Sequence, residues 1–462
     1  MTDPRTGPDE RRARRSLVGA SAGFFVVMLD TTIVNVALPS IGAGLHASFQ
    51  GLQWVVNAYA IALAALLLGA GGMADRFGTR RVYEASLLLF AIASLGCALS
   101  PELWVLLASR FAQGVAGASL IPTSMVLAAD GCRTPEERSV ALGWWGSAGG
   151  LAAAMGPVLG GCLVSTLGWR CVFWVNVPIC VLIRLVLTGS GSRRAGRSRR
   201  RAAPSDGAGQ LLSILAIGLT SFSVIELGSS STRILGSAGC AAAAASWWAF
   251  LRHESRSAKA FLETALFRVP AFATNCAIGW ILNFALFGEL FVLSMYLQQG
   301  LGYSSAHAGL VIFPQTCSAL IAAPLGGRAA AAWGGRRATA AGLTAGGIGF
   351  LGIALFPLTG SQAVLAPLSF LASFGMAFAM PPVSAEAIGS VAERRKGMAS
   401  GVINTARQLG TVCGTAAMGA VYAIAGATMG VVVSVAIAAL LFFIGALASW
   451  SVGSAGASAR GA

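Results

Sequence analysis

Residues 16–38 read SLVGASAGFFVVMLDTTIVNVAL, an apolar run in which Asp30 is the one charged residue. A helix of about 20 residues crosses the roughly 30 Å hydrocarbon core of a bilayer. The run follows the arginine-rich stretch Glu10–Arg15, and a signal peptide also has an apolar segment after a basic one. This run is longer than the apolar segment of a signal peptide, and further apolar runs follow it. We therefore predict that these residues form a first transmembrane helix.

The rest of the chain repeats this pattern. Of its 462 residues, 56% are hydrophobic and only 11% are charged, whereas a soluble domain carries about 25% charged residues. This composition excludes a soluble domain, which needs a largely polar surface, and a disordered chain. We predict an all-α integral membrane protein with fourteen spans, at 16–38, 53–73, 82–99, 103–128, 139–164, 171–188, 210–228, 234–251, 271–297, 307–326, 338–357, 363–388, 399–424 and 427–448.

The positive charges indicate the orientation of these spans. The net charge is +15, from 32 Lys+Arg against 17 Asp+Glu. With a cytoplasmic N-terminus, 28 of the 32 fall in cytoplasmic segments, Arg170 and Arg233 fall in outer loops, and Arg110 and Arg407 lie within spans. Cytoplasmic loops are enriched in Lys and Arg. We expect a multi-pass plasma-membrane protein with both termini in the cytoplasm, whose charge reflects topology and not a nucleic-acid partner.

The polar segments divide the spans into groups of six, two and six. This layout is typical of a duplicated six-helix transporter with an inserted pair of helices. The predicted units are an N-tail (1–15), an N-terminal six-helix bundle (16–188), a basic cytoplasmic linker (189–209), the inserted pair (210–251), a second cytoplasmic linker (252–270), a C-terminal six-helix bundle (271–448) and a C-tail (449–462). A faint repeat supports the duplication, because GGMADRFGTRR at Gly71–Arg81 recurs loosely as GGRAAAAWGGRR at Gly326–Arg337.

Several ordered motifs resemble one transporter family. The chain is similar to the major facilitator superfamily, and in particular to its fourteen-helix drug:proton antiporters. Ala152 departs from the antiporter motif, which usually begins with Gly. The matching stretches are LDTTIVNVALP (Leu29–Pro39), the loop motif Gly71–Arg81, RFAQG (Arg110–Gly114), GPVLGG (Gly156–Gly161), WRCVFWVNVP (Trp169–Pro178) and GMASGVINTARQLG (Gly397–Gly410).

The resemblance implies a secondary transporter and not an enzyme. It implies a proton-coupled antiporter that exports small amphipathic drugs or antibiotics by alternating access, driven by the proton motive force without a cofactor. Its partners would be a small-molecule substrate, protons and membrane lipids, and we expect a monomer. Two alternatives on the same fold are a dedicated exporter of an endogenous metabolite or antibiotic, and an importer, against which the motif at Gly156–Gly161 argues. A membrane enzyme or sensor has less support, and no nucleotide-binding GxxxxGK[ST] motif is present.

Charged residues within the membrane are the first candidates for the functional site. A charge at the centre of a membrane helix costs about 2.5–3.5 kcal/mol on insertion scales and so marks a functional position. Asp30, Arg110 and Glu289 lie at similar depth in the outer half, which favours one polar cluster. We predict that Asp30 is the proton-coupling site with Arg110 as its partner, since burial disfavours a carboxylate and a nearby arginine favours it. The alternative is a purely structural contact.

Four further polar residues complete the predicted set within the membrane. We expect Asn35, Gln113 and Asn283 to line the substrate cavity together with Asp30 and Glu289. Glu289 would bind a cationic substrate or a second proton, unless its carboxyl is satisfied within the bundle. Arg407 is expected to be structural or to take part in gating. The three His and nine Cys are too scattered for a metal site.

The loop and helix motifs suggest machinery for movement. In the loop motif, the resemblance implies that Asp75 caps a helix starting near Met398 across the interface between the halves. Glycine allows a tight turn, and the arginines would pair with the other half or with lipid phosphates, or would simply anchor the topology. The predicted gating residues are Gly71, Asp75, Arg76, Gly78, Arg80 and Arg81. In the antiporter motif, Gly156, Pro157, Gly160 and Gly161 predict a kink and close helix packing.

Overall fold

The computed structural model describes residues 8–130, 132, 134–188, 206–228, 232–257, 264–359, 362–392 and 395–458. These ranges contain α-helices, one 3-10 helix (Thr264–Arg268) and one π-helical segment (Tyr296–Gly300), and no strand. The α-helices are α1 (Pro8–Leu45), α2 (Phe49–Phe77), α3 (Thr79–Ala98), α4 (Leu103–Ala128), α5 (Pro135–Leu167), α6 (Cys171–Trp174), α7 (Asn176–Thr188), α8 (Gly207–Leu227), α9 (Arg233–Arg256), α10 (Pro270–Met295), α11 (Ser305–Trp333), α12 (Gly335–Thr359), α13 (Gln362–Gly389), α14 (Lys396–Ala425) and α15 (Ala427–Ser458).

The helices confirm an all-α, multi-pass membrane protein. Thirteen helices in the described ranges are long and apolar enough to cross a membrane, against the fourteen spans predicted. The difference lies in the sixth predicted span, where the structure has a shorter apolar helix, Cys171–Leu187. A turn at Val175 divides it into α6 and α7. Large apolar side chains are exposed on the outer faces of the bundle, as expected for a surface in contact with lipid, for example Trp104, Leu182, Ile234, Trp248 and Leu447.

Several predicted boundaries differ from the helices, and α9 also continues to Arg256, inside the predicted linker 252–270. α1 begins at Pro8, so the arginine-rich N-tail is partly helical, and α15 continues to Ser458 into the predicted C-tail. α8 begins at Gly207, inside the predicted linker 189–209, of which residues 189–205 lie outside the described residues. Helices tolerate polar residues beyond an apolar run, so hydropathy locates a span better than it locates the ends of the helix.

The two halves repeat the same helical unit. α2 and α11 each have 29 residues. Each begins at a serine N-cap, with the Ser48 hydroxyl accepting from Gly51 N and the Ser304 hydroxyl from His307 N, both at 3.2 Å. Each ends at a glycine with positive φ, 92° at Gly78 and 85° at Gly334, a conformation that residues with a Cβ rarely adopt. The loop repeat seen in the sequence is therefore a repeat of structure as well.

The halves meet closely at the end of the bundle where α1 is joined to α2, which we call the α1–α2 end. There Phe49 of α2 stacks on Tyr422 of α14, with ring centroids 5.5 Å apart, and meets Phe291 of α10 edge-on at 5.6 Å. Gln53 of α2 donates from Nε2 to the carbonyls of Thr415 and Ala416 in α14, at 3.3 and 3.0 Å. These contacts tie α2 of the first half to α10 and α14 of the second.

The first helices of the two halves also touch at this end. The Ser294 hydroxyl of α10 donates to the Asn35 carbonyl of α1 at 2.9 Å, and Gln298 Nε2 donates to the Val36 carbonyl at 3.1 Å. These bonds place Asn35 and Ser294 at about the same depth in the bundle. They also define the local register between α1 and α10.

The inserted helices lie against both halves. Ile217 of α8 packs in one buried cluster with Ala60 and Ile61 of α2 and with Val412 of α14. At the other end of the pair, the His253 Nε2 atom of α9 lies 2.9 Å from Asp206, the residue that caps α8. The inserted pair thus covers the seam between α2 and α14.

Candidate functional site

A buried ion pair lies inside the N-terminal half. Arg110 Nη1 donates to Asp30 Oδ2 at 2.5 Å, and both side chains are at most 2% exposed. Asp30 comes from α1 and Arg110 from α4, 80 residues later. The two residues that we expected to act together are therefore in direct contact. A buried charge is tolerated when it is both paired and hydrogen-bonded.

The guanidinium of Arg110 is held from several sides. Its Nε atom donates to the Val55 carbonyl at 3.1 Å, and Nη1 also donates to Gln113 Oε1 at 2.8 Å. Its planar group lies 4.4 Å from the centre of the Tyr59 ring and 5.9 Å from that of Phe173. Stacking of a desolvated cation on an aromatic ring adds to its stabilisation. Arg110 is consequently fixed in one position.

The second oxygen of Asp30 is also fully engaged. Asp30 Oδ1 accepts from Asn176 Nδ2 at 2.9 Å and from Gln113 Nε2 at 3.2 Å. Gln113 Nε2 donates further to the Ser94 hydroxyl of α3 at 2.8 Å. We call Asp30, Arg110, Gln113, Asn176 and Ser94 the Asp30 network. Gln113 was expected in the substrate cavity, but its amide is used within the N-terminal half.

Two members of the Asp30 network were not singled out in the sequence. Asn176 lies in the motif WRCVFWVNVP, and it begins α7 just after the turn at Val175. Ser94 is one of many small residues of α3 and carries no distinguishing signal. A polar amide within an apolar run was the feature that would have identified Asn176, as it would have identified Gln315 in α11.

Glu289 lies apart from the Asp30 network. Its Oε2 atom accepts from Gln315 Nε2 of α11 at 2.5 Å, and both side chains are almost completely buried. Glu289 Oε1 and Gln315 Oε1 have no hydrogen-bond partner. The hydrogen bonds among the described residues form two separate groups, not the single cluster that we expected. The reason is that each carboxyl group is bonded within its own half, Asp30 to α4 and α7 and Glu289 to α11.

The remaining membrane candidates form a weaker contact in the second half. Asn283 Nδ2 donates to the Thr411 hydroxyl at 3.1 Å. Arg407 of α14 donates to Asn283 Oδ1 at 3.5 Å and to Asn404 Oδ1 at 3.3 Å. These long bonds position Arg407 between α10 and α14. Asn35 donates within its own helix, to the Thr31 carbonyl at 3.1 Å.

The predicted gating loop is described only in part. Gly78 makes the turn between α2 and α3, and Arg80 donates to Glu84 at 2.8 Å and to the Leu187 carbonyl of α7 at 2.6 Å. The guanidinium of Arg76 lies 5.1 Å from the Phe77 ring, and Arg81 is exposed. The structure does not describe the Asp75 side chain or the surroundings of Gly71, so the expected cap near Met398 stays a prediction.

The glycines of the antiporter motif permit close packing on two sides. A Cβ at Gly156 would overlap the Thr32 hydroxyl of α1, and one at Gly160 would come within 2.8 Å of Ile33. On the other side, α5 meets α11 of the second half. A Cβ at Gly161 would lie 2.5 Å from the Ser305 carbonyl, and one at Gly309 would overlap the carbonyl of Pro157. Backbone contact here depends on the missing side chains.

No group of three or more His, Cys, Asp or Glu side chains in the described ranges is arranged to hold a metal ion.

Comparison with known proteins gives consistent matches along the chain. The model of the Major Facilitator Superfamily matches residues 20–415. The multidrug resistance protein Stp of Mycobacterium tuberculosis is 34% identical over 88% of this chain and 75% of its own length. The methylenomycin A resistance protein of Streptomyces coelicolor is 31% identical over 94% of this chain and 91% of its own. The drug efflux pump JefA of Mycobacterium tuberculosis is 32% identical over 89% and 81%.

Solved structures share the fold at low sequence identity. A bacterial homologue of the human lysosomal transporter Spinster, in an inward-facing and unoccupied conformation, aligns with a TM-score of 0.67 at 15% identity, covering 98% of this chain and 99% of that one. A POT family transporter in complex with 5-aminolevulinic acid aligns with a TM-score of 0.71 at 14% identity, covering 98% of each chain. At this level of identity the likeness concerns the fold alone.

Proposed function

Because the chain belongs to the major facilitator superfamily, we propose that it is a proton-coupled efflux transporter that exports small amphipathic drugs or antibiotics. Membership of this transporter family makes it a membrane transporter and not an enzyme. The relatives named above are, by their names, a multidrug resistance protein, an antibiotic resistance protein and a drug efflux pump. These names support export as the direction of transport.

The observation that carries proton coupling is the buried contact between Asp30 and Arg110. A carboxylate within a membrane span is costly and marks ion or proton pathways. Arg110 stabilises the charged form of Asp30, and loss of that contact would favour protonation. A change of conformation within the N-terminal half that lengthens the 2.5 Å contact would therefore let Asp30 take up a proton on one side and release it on the other. No cofactor is needed, since the proton gradient supplies the free energy.

Alternating access is supported by the way the halves meet. With the orientation that the arginines favour, the α1–α2 end faces outward, and the aromatic contact of Phe49 with Tyr422 closes that side. Export requires this closure to separate, and at Gly161 and Gly309 the two helices meet through close backbone contact. We propose a monomer with both termini in the cytoplasm.

The test is efflux by the Asp30→Asn variant. The chain is produced in a pump-deficient bacterium, and efflux of a panel of drugs and dyes is measured with and without an uncoupler. For any compound that the wild-type chain exports uphill, Asp30→Asn should abolish uphill efflux, because the amide cannot carry a proton. Exchange of that compound down its own gradient should persist, since exchange needs no proton transfer.

Two further variants serve as controls for the Asp30→Asn measurement. Asp130→Asn changes the same chemical group at an exposed position and should leave efflux unchanged. Asp30→Glu keeps a titratable carboxyl and should retain part of the uphill transport. Full uphill efflux by Asp30→Asn would overturn the coupling role of Asp30, and loss of exchange as well as uphill transport would indicate a structural one. If the wild-type chain exports no compound of the panel, the hypothesis of a dedicated metabolite exporter is favoured instead.

A further inference from the structure

Glu289 and Gln315 leave two acceptor oxygens unused in the interior of the bundle. One bond joins the pair, from Gln315 Nε2 to Glu289 Oε2 at 2.5 Å. Glu289 Oε1 and Gln315 Oε1 are buried and accept no hydrogen bond. Buried polar atoms are nearly always paired, and an exception calls for an explanation. Here both unused atoms are oxygens on adjoining side chains, so the missing partner is a hydrogen-bond donor.

The positive charges within the membrane do not supply that donor. Arg110 is bound to Asp30, Gln113 and the Val55 carbonyl. Arg407 is bound to Asn283 and Asn404. Within the part of the chain that the structure describes, no cationic side chain forms an ion pair with Glu289. A charged group that is buried without a partner is strongly disfavoured, and a bound cation from outside the chain would remove this penalty.

The pair lies next to the junction of the two halves. Five residues beyond Glu289, or about 7.5 Å along a helix, the Ser294 hydroxyl binds the Asn35 carbonyl of α1. Immediately after Gln315, the Thr316 hydroxyl binds the Ala154 carbonyl of α5 at 3.1 Å. Both elements that carry the pair, α10 and α11, thus contact the other half close to the site. A ligand bound here would lie where movement of the halves opens and closes a path.

We propose that Glu289 and Gln315 bind the cationic part of the transported compound, and that the substrates of this chain are organic cations that carry N–H groups. This inference rests on the proposed export function and adds the substrate class to it. Glu289 supplies the negative charge, and the two free oxygens accept two N–H bonds from an ammonium, amidinium or aminoaryl cation. A cation without N–H groups gains only the charge interaction, and a neutral compound gains neither.

Three probes separate these contributions. Ethidium is a cation with N–H groups, tetraphenylphosphonium is a cation without them, and chloramphenicol is neutral. Their dissociation constants are measured on the purified chain in detergent, so the result does not depend on transport or on a proton gradient. Glu289→Gln should weaken ethidium binding about tenfold to a hundredfold, the effect of losing one charge-assisted hydrogen bond. Tetraphenylphosphonium should be weakened less, and chloramphenicol not at all.

Further variants keep the inference falsifiable if Glu289→Gln folds poorly. Gln315→Ala keeps the charge and removes one acceptor, so it should weaken ethidium more than tetraphenylphosphonium. Glu289→Asp should restore part of the ethidium affinity that Glu289→Gln loses. Glu226→Gln makes the same change on the inserted helix α8, away from the site, and should leave all three constants unchanged.

The outcomes are distinct. A loss in Glu289→Gln that is larger for ethidium than for tetraphenylphosphonium and absent for chloramphenicol supports the inference. An equal loss for the two cations, an equal loss for all three probes, no loss for any, or a wild-type chain that binds neither cation overturns it. If binding follows the expected order but the wild-type chain in a pump-deficient host exports nothing, the binding site stands and the proposed export function fails. If the chain exports neutral compounds alone, the export function stands and the substrate class fails.

Discussion

The first helix of each half buries one carboxyl group, and the two are compensated very differently. Asp30 of α1 accepts three hydrogen bonds, one of them from the guanidinium of Arg110. Glu289 of α10 accepts one, from an uncharged amide, and its second oxygen has none. Both side chains are fully buried. The register set by the Asn35–Ser294 bond places both at about the same depth.

This difference indicates that the two halves have different roles. An ionised group in the interior requires a partner, because solvation lost on burial must be replaced. The N-terminal half provides all partners of Asp30 from its own helices, so Asp30 can change its charge only if those contacts change. The C-terminal half leaves Glu289 incomplete, so a ligand can complete it. The N-terminal half is thus suited to coupling and the C-terminal half to recognition.

The largest expected effect comes from making Asp30 resemble Glu289. Arg110→Gln removes the cation and leaves a buried carboxylate with amide partners only. Removing one member of a buried ion pair typically costs about 3–5 kcal/mol. We expect a loss of that size in the free energy of unfolding, measured by titration with SDS in mixed micelles.

The double variant tests the reason for that loss. Asp30→Asn combined with Arg110→Gln removes both charges and should recover most of the stability lost by either single change. A double-mutant cycle measures this coupling directly. If the double variant is as unstable as the sum of the two single variants, charge compensation is not what stabilises the pair. Uphill transport should stay absent in the double variant, because no titratable group remains at position 30.

The sequence predicts which charged residues lie within the membrane and at what depth. It does not predict which helices their side chains face. Asp30, Arg110 and Glu289 are conspicuous because charges are rare within apolar runs, and their depth follows from counting residues along helices of fixed rise. The direction in which each side chain points depends on helix rotation, which hydropathy does not determine. Asp30 and Glu289 have matching depths, yet one faces α3, α4 and α7 and the other faces α11. Their hydrogen bonds form two groups for that reason.

The fold itself followed from simpler physics. Apolar length located the spans, and the arginine distribution oriented them. Hydropathy alone reads residues 171–188 as one span, although Asn176 and Pro178 directly follow the turn at Val175 that divides it. Asn176 acquires its place in the Asp30 network directly after this turn. The residue that completes the network is thus positioned by the one feature that hydropathy cannot show.

A smaller effect should distinguish the two sites by their dependence on the junction of the halves. At Gly309 in α11, an added Cβ would overlap the Pro157 carbonyl of α5. Gly309→Val should displace α11 at a cost of about 1–3 kcal/mol, typical of overpacking. Because Gln315 lies on the same helix, ethidium binding should weaken. The Asp30 network, built within one half, should keep its double-mutant coupling energy.

The matched control is Gly218→Val in α8, another helical glycine, where an added Cβ meets nothing within 4 Å. This change should affect neither binding nor coupling. If Gly309→Val weakens the Asp30–Arg110 coupling as much as it weakens ethidium binding, the two sites are not independent. The contrast between a self-contained site and an open one would then be wrong.

The smallest expected effect concerns a second ion pair of the N-terminal half, at the turn between α2 and α3. Arg80 Nε donates to Glu84 at 2.8 Å, but both side chains are about one third exposed, at 31% and 32%. Water solvates both groups in the unpaired state, so Glu84→Gln should cost only about 0.3–0.5 kcal/mol. Arg80 also keeps its bond to the Leu187 carbonyl.

The measurement is the SDS titration used for Arg110→Gln, repeated at low and high salt. The small loss in the free energy of unfolding should shrink at high salt, because salt screens the charges. A loss as large as that of Arg110→Gln would show that burial does not set the strength of these pairs, and the contrast between Asp30 and Glu289 would then need a cause other than desolvation.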